Sequence, residues 1–240
     1  VGFSFFPDSA ASLSLLTPII VMIILTAIVL VIVIFYLPES RINTKAERSS
    51  DDLSAVMNSK LKILILIGTL IFISFAIVQS VTAFYLQDRF GLDYYQTASF
   101  TAISLGSMAV ASILIQLSFI QKYKGPSIDL LGYSLPFFAF GALFIILSLS
   151  FIYIVLGMFI IGIGMGLASP GYTATASLNS KTKNHGAAVG LAMIAPGLGF
   201  TLGPITGGFL YEIYYLLPFI IILPILIFVR LLLPYLQLKK

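Results

Sequence analysis

Six side chains in otherwise apolar segments have the chemistry to contact a small molecule. They combine hydrogen-bonding groups with aromatic rings: Phe75, Gln79, Thr82, Ser107, Ser169 and Tyr172. Ser104 lies in the same segment as Ser107. Phe75, Gln79 and Thr82 share one face of a helix, because side chains three and four residues apart point the same way. A ring beside two hydrogen-bonding groups can hold an amphipathic ligand. The alternative is that each polar group bonds a neighbouring helix.

A second group of residues has the spacing for close contact between helices. Gly199, Gly203 and Gly207 recur every four residues, with Pro204 and Gly208 beside them. Glycines at this interval form a stripe along which two helix backbones can approach closely. Proline lacks an N–H donor and bends a helix. The pattern predicts a packing surface with a hinge, although packing alone would also account for it.

Ionisable residues are few and form no recognisable catalytic or metal-binding arrangement. The 240 residues include 13 Lys and Arg, 9 Asp and Glu, one His and no Cys. The absence of Cys excludes disulfides and Cys-based zinc sites. The sequence has no H-E-x-x-H, no G-x-S-x-G and no paired carboxylates, so we predict no enzyme activity, no metal and no cofactor. A net charge of +4 is too small to predict nucleic-acid binding.

The composition is that of a membrane protein. Hydrophobic residues make up 59% of the chain and charged residues 9%, against about 45–50% and about 25% in soluble domains. The mean hydropathy is +1.09. A water-soluble chain could not cover this much apolar surface with so few charges, so the solvent is predicted to be a lipid bilayer.

Stretches without a charged residue predict seven membrane-spanning helices, each of which needs about 20 mostly apolar residues. These stretches are 9–38, 63–87, 94–121, 130–180, 184–211 and 213–229. The stretch 130–180 has 51 residues, enough for two spans, and a weak break at Ser148, Ser150 and Tyr153 divides it. The sequence therefore predicts an all-α, polytopic membrane protein.

The distribution of Lys and Arg predicts the orientation. If the first span ends in the cytoplasm, eleven of the 13 basic residues fall on the inner side, Arg89 lies outside and Arg230 lies within the last span. This asymmetry follows the positive-inside rule and places the C-terminus in the cytoplasm, most simply in a bacterial plasma membrane. Tyrosines at the predicted span ends indicate an interface belt. They are Tyr36, Tyr85, Tyr94, Tyr95, Tyr123, Tyr211, Tyr214, Tyr215 and Tyr235.

The glycine–proline stretch resembles a known family pattern. Residues 199–208 read G-x-x-x-G-P-x-x-G-G, which is similar to the pattern found in transmembrane helices five and eleven of the major facilitator superfamily. Residues 162–170 resemble its glycine-rich tenth helix, and residues 181–186 resemble the cytoplasmic turn before helix eleven. The run Leu37-Pro38-Glu39-Ser40 looks like the end of helix six.

The resemblance covers nearly the whole chain and implies its organisation. Residues 1–37 would be the end of an N-terminal half, 38–60 the central cytoplasmic loop, and 61–240 the C-terminal six-helix bundle. By resemblance, helices seven and ten face a central cavity, and helices eight and eleven flank it.

The implied function is secondary active transport by alternating access, most like the drug:proton antiporters that export amphipathic small molecules. The implied partners are the bilayer, an N-terminal six-helix half, a small-molecule substrate and protons. Two alternatives stay open, an uptake carrier or facilitator for a small polar metabolite and a non-transporting membrane scaffold. Since no ionisable residue falls in the middle of a predicted span, we expect the proton-coupling carboxylate in the N-terminal half.

Two further observations bear on the family pattern. The loop between helices eight and nine reads Gln121-Lys122-Tyr123-Lys124-Gly125-Pro126, without the acidic–basic pair that the family often carries there. Asp129 could stand in, although an ordinary carboxylate at a helix N-terminus is the simpler interpretation. Ala98, Ala102 and Gly106 repeat the spacing of the later glycines and predict an equivalent surface in an inverted repeat.

Overall fold

The computed structural model describes residues 11–36, 59–178 and 190–237. The chain divides into two units, Val1–Arg48 and Ser49–Lys240, and each is described by itself. The first unit contributes helix α1 (Ala11–Tyr36). The second contributes six helices: α2 (Ser59–Phe90), α3 (Tyr94–Ser118), α4 (Ser127–Ile146), α5 (Phe151–Leu178), α6 (Ile194–Ile213) and α7 (Leu217–Gln237). The predicted all-α fold is confirmed.

The lengths and apolar composition of these helices fit membrane spans. All six helices of the second unit are long and apolar enough to cross a bilayer. In α1, which has 26 residues, the apolar stretch Ile20–Phe35 is shorter than these six candidate spans, so the predicted seventh span stays a prediction. The long stretch 130–180 divides where the sequence predicts, because α4 ends at Ile146 and α5 begins at Phe151. The predicted loop 38–60 lies almost entirely outside the described residues.

The turn between α2 and α3 shows how local sequence ends and restarts a helix. Gly91 has a φ of 59°, a left-handed conformation that glycine adopts without steric cost. The Asp93 side chain then accepts a hydrogen bond from the Gln96 N–H at 2.8 Å, and the Gln96 side chain accepts from the Asp93 N–H at 3.3 Å. This reciprocal capping satisfies two N–H groups that a helix start otherwise leaves unpaired.

Helices α2 and α5 are the central helices of the second unit. Helix α6 packs along α2, α3 packs along α5, and α4 packs along α5, while α7 contacts both α2 and α4. Glycines of α5 make the close packing possible on two sides. Gly162 and Gly166 face α3, where a Cβ at 166 would lie 2.9 Å from the Ser112 carbonyl oxygen. Gly157, Gly164 and Gly171, each two turns apart, face α4.

The predicted small-residue surface of α3 is not where this helix packs. Ala98, Ala102 and Gly106 are exposed, and a Cβ at Gly106 would meet nothing within 4 Å. The buried residues of α3 lie on another face: Thr97, Ser104, Met108 and Ala111. The prediction that this stripe matches the buried glycines of α6 is therefore wrong. The glycines of α5 instead allow the backbones of α3 and α5 to approach closely. Helix α3 therefore needs no glycine on its own packing face.

One predicted interface tyrosine lies in the core. Tyr85 is buried, and its hydroxyl donates to the Ile145 carbonyl oxygen at 3.1 Å and lies 2.8 Å from Ser148 Oγ. Its ring packs against Phe219, with the centroids 5.0 Å apart. Hydrogen bonding satisfies the buried hydroxyl, so this residue ties the end of α2 to α4 rather than to lipid head groups. Tyr94, at the start of α3, is exposed.

Candidate functional site

Four aromatic side chains from three helices form one cluster, which we call the aromatic cluster. Phe72 and Phe75 come from α2, Tyr172 from α5 and Phe200 from α6. The Phe72 ring meets the Tyr172 ring edge to face, with centroids 5.8 Å apart. The Phe200 ring contacts both Phe72 and Phe75, with centroids 6.1 Å apart in each case. The Phe72–Tyr172 and Phe75–Phe200 pairs meet edge to face, and pairs of this kind stabilise by about 0.5–1.5 kcal/mol beyond the area they bury.

The aromatic cluster is buried on one side and open on the other. Phe72, Phe75 and Tyr172 are buried, whereas Phe200 is 46% exposed. The Tyr172 ring occupies the space that Gly68 leaves by lacking a side chain, and its hydroxyl donates to the Ala192 carbonyl oxygen at 2.8 Å. Tyr172 therefore supports the cluster from inside, and Phe200 is its exposed member.

Gln79 and Thr82 have different surroundings although both belong to α2. Gln79 lies one turn beyond Phe75 and is exposed, so its amide donors and acceptor are presented at the helix surface. Thr82 is buried and donates to the Val78 carbonyl oxygen of its own helix at 2.6 Å. Of the predicted trio on this helix, Gln79 is the polar group that a ligand could reach.

The predicted serines lie on α3 and α5, and Ser107 links the two helices. The Ser107 hydroxyl is 2.7 Å from the Ser104 carbonyl oxygen and 3.2 Å from the Val155 carbonyl oxygen, so it links α3 to α5. Ser104 is buried and donates to the Phe100 carbonyl oxygen at 2.8 Å. Ser169 is half-buried on α5, three residues before Tyr172.

The glycine–proline motif has two distinct sides. Gly199, Gly203 and Gly207 are buried against α2. A Cβ at Gly199 would lie 2.8 Å from the Phe72 carbonyl carbon, so glycine is required for this approach. Pro204 and Gly208 are exposed on the other side, and a Cβ at Gly208 would meet nothing within 4 Å. The three buried glycines also set the position of Phe200, which follows the first of them.

Three members of this site were not predicted from the sequence. Phe72, Phe200 and Gly68 contribute two rings and the space for a third. Phe72 precedes Phe75 by three residues, a helical spacing that could have indicated a shared face. No local pattern pairs Phe200 with α2 or Gly68 with Tyr172, since these contacts depend on how the helices pack.

Full charges lie away from the aromatic cluster. In the described spans, the charged side chains are at helix ends, such as Asp88 and Arg89 on α2 and Asp129 in the first turn of α4, or at Arg230. Arg230 is about two turns from the end of α7. A ligand at the aromatic cluster would therefore meet rings and an amide rather than an ion-pair partner.

The chain matches the model of one protein family. A family model for the Major Facilitator Superfamily matches residues 9–195 and, in a second match, residues 118–239. The two matches together cover α1 to α7. No curated protein matches the chain.

Proposed function

This chain belongs to the major facilitator superfamily of membrane transporters, and on that basis we propose that it is the C-terminal half of a secondary active exporter. In this proposal, residues 1–37 contain the last helix of the N-terminal half, and residues 38–60 form the central cytoplasmic loop. Residues 61–240 form the six-helix C-terminal bundle. The transporter works by alternating access in a bacterial plasma membrane, with its C-terminus in the cytoplasm.

The aromatic cluster is the observation that carries the proposed substrate class. Phe200 offers an exposed ring backed by Phe72 and Phe75. Gln79, one turn beyond Phe75 on α2, offers hydrogen-bonding groups. A flat amphipathic molecule can stack on the ring and bond its polar edge to the amide. Binding sites for small molecules commonly have this composition, mostly apolar with a few placed polar groups.

Exposed small residues support an N-terminal half as the partner of this bundle. Ala98, Ala102 and Gly106 line one exposed face of α3, and Gly197 and Gly208 lie on exposed parts of α6. Inside a membrane, small residues favour helix–helix contact over contact with lipid, because they let backbones approach closely. Two such faces on different helices are suited to contact with another helical bundle.

Proton coupling in this proposal depends on the N-terminal half. Buried carboxylates usually form the proton relays of transporters. Among the residues that the structure describes, none of the acidic side chains lies in the middle of a span. We therefore assign substrate contact to this half and the coupling carboxylate to the other.

Replacing Phe200 with alanine tests the substrate site. We expect KM for a lipophilic aromatic cation to rise about two- to tenfold in the full-length transporter, because one stacking partner worth about 0.5–1.5 kcal/mol is lost. Expression and maximal rate should change little, since Phe200 is partly exposed. The measurement is substrate flux into vesicles at varied substrate concentration.

Phe209→Ala is the matched control. Phe209 belongs to the same helix and is 64% exposed, but it lies outside the aromatic cluster. Its replacement should leave KM unchanged. Equal KM values for the Phe200→Ala variant and the parent protein would show that the aromatic cluster does not contact substrate.

A further inference from the structure

A groove opens between α4 and α7. Its volume is about 870 Å³, and aliphatic side chains such as Leu135 and Ala139 on α4 and Leu223 on α7 form much of its wall. Ile227 and Leu231 of α7 also line it and are each 63% exposed. On a helix that crosses a bilayer, exposed aliphatic side chains of this kind contact acyl chains. The groove therefore has the lining and the access that a lipid tail needs.

A cation lies toward one end of the groove. Arg230 lines it, and its Nη1 atom is 3.7 Å from the position that a Cβ on Gly132 would take. Gly132 is the sixth residue of α4, about 7.5 Å along the helix axis from its start. This depth places the guanidinium within reach of lipid head groups. Lys122 and Lys124 lie in the turn just before α4 and add positive charge on the same side of the membrane.

The local backbone explains why an arginine can lie here. Gly132 lies beside the guanidinium, and even a Cβ there would be at ordinary contact distance from Nη1. Pro136 lacks an N–H, so the Gly132 carbonyl oxygen loses its usual helical donor. Asp129 also lines the groove. A guanidinium carries five N–H donors, so Arg230 can engage an acceptor on α4 and still present donors to the groove.

We propose that this groove binds one glycerophospholipid, with its phosphate at Arg230 and an acyl chain between α4 and α7. Guanidinium and phosphate match in charge and in geometry, because two parallel N–H groups can bond two phosphate oxygens. Basic pockets between membrane helices bind phospholipid head groups for this reason. The aliphatic wall then distinguishes a phospholipid from a free phosphate ion, which would leave the groove empty of apolar contacts.

Arg230→Gln tests the phosphate contact. The purified, delipidated chain is titrated with phosphatidylglycerol, and bound lipid is counted by native mass spectrometry. The parent chain should bind one lipid at this site, and Arg230→Gln should weaken its affinity about tenfold or more, because a charge-assisted hydrogen bond is lost. Arg230→Lys should restore part of the affinity. Diacylglycerol, which lacks the phosphate, should bind the parent chain about tenfold more weakly than phosphatidylglycerol.

Two more variants separate this site from general effects. Lys62→Gln removes an exposed positive charge from α2, outside the groove, and should not change affinity. Gly132→Leu keeps Arg230 but fills the groove; its Cβ would make only ordinary contacts, so the chain should fold while lipid affinity falls. Unchanged affinity in Arg230→Gln, or an equal loss in Lys62→Gln, would overturn the proposal. Competition by inorganic phosphate as effective as that by phosphatidylglycerol would also overturn it.

Discussion

Replacing Gly203 with leucine is expected to detach α6 from α2 and to abolish transport. A Cβ at this position would meet the Ala76 side chain and lie 3.1 Å from the Ile73 carbonyl oxygen. Backbone atoms cannot move aside as a flexible side chain can, so the two helices must separate. Overpacking a core costs about 1–3 kcal/mol and occasionally more, and we expect at least about 3 kcal/mol here because backbone is the obstacle. Flux in vesicles and unfolding in mixed detergent micelles measure the two effects.

Gly208→Leu is the matched control for this substitution. It makes the same change five residues further along the same helix, where a Cβ would meet nothing within 4 Å. The unfolding free energy should therefore stay close to that of the parent chain. If Gly203→Leu were as stable as Gly208→Leu, the packing of α6 on α2 through its glycine stripe would be wrong.

Gly162→Leu is expected to have an effect of similar size on the other side of the bundle. The added Cβ would meet the Met108 carbonyl oxygen and lie 2.9 Å from the Ala111 side chain, so α3 must move away from α5. The nearby Ser112 hydroxyl, which donates to the Gly162 carbonyl oxygen at 2.7 Å, would lose its bond as the helices separate. We expect a loss of about 3 kcal/mol in unfolding free energy, measured by unfolding in mixed detergent micelles.

Gly106→Leu provides the comparison within the same helix pair. Gly106 belongs to α3 but points away from α5, and a Cβ there would meet nothing within 4 Å. Stability of the isolated chain should change little. A smaller loss for Gly162→Leu than for Gly106→Leu would contradict the assignment of the α3–α5 contact. Because Gly106 lies on the face that we propose for the N-terminal half, Gly106→Leu could still reduce transport by the full-length protein.

The membrane-spanning architecture could be predicted from the sequence because one physical requirement dominates it. A span must be long and free of charges, so the positions of Lys62, Asp88, Asp93, Lys122 and Asp129 already bracket the first described helices of the second unit. The break between α4 and α5 was also visible, since two serines interrupt an apolar run there. These features are local, and local composition is sufficient to find them.

Contacts between helices were only partly predictable. The spacing of Gly199, Gly203 and Gly207 indicates a packing stripe, and in the structure these glycines lie against α2. The same spacing in Ala98, Ala102 and Gly106 describes an exposed face of α3. Spacing shows which residues share a face, but the partner helix decides which face is buried.

The candidate site was also only partly predictable from the sequence. Phe75 and Tyr172 were predicted as ligand contacts, and they lie in the aromatic cluster as buried members. Phe200, its most exposed ring, was not predicted, because it reaches α2 only through the close approach that Gly199 permits. A helical face can be read from one segment, whereas a site shared by three helices requires their packing.

Proton-driven flux of an aromatic cation most directly tests the proposed exporter. The full-length transporter, meaning this chain with the N-terminal half that we propose, is reconstituted into vesicles, and flux is followed with and without an imposed proton gradient. We expect the gradient to drive substrate against its concentration gradient, with a raised KM in Phe200→Ala and no transport by residues 1–240 alone. If the flux of every lipophilic cation and tetracycline-like compound is the same with and without the proton gradient, the proposal of a proton-coupled exporter is contradicted.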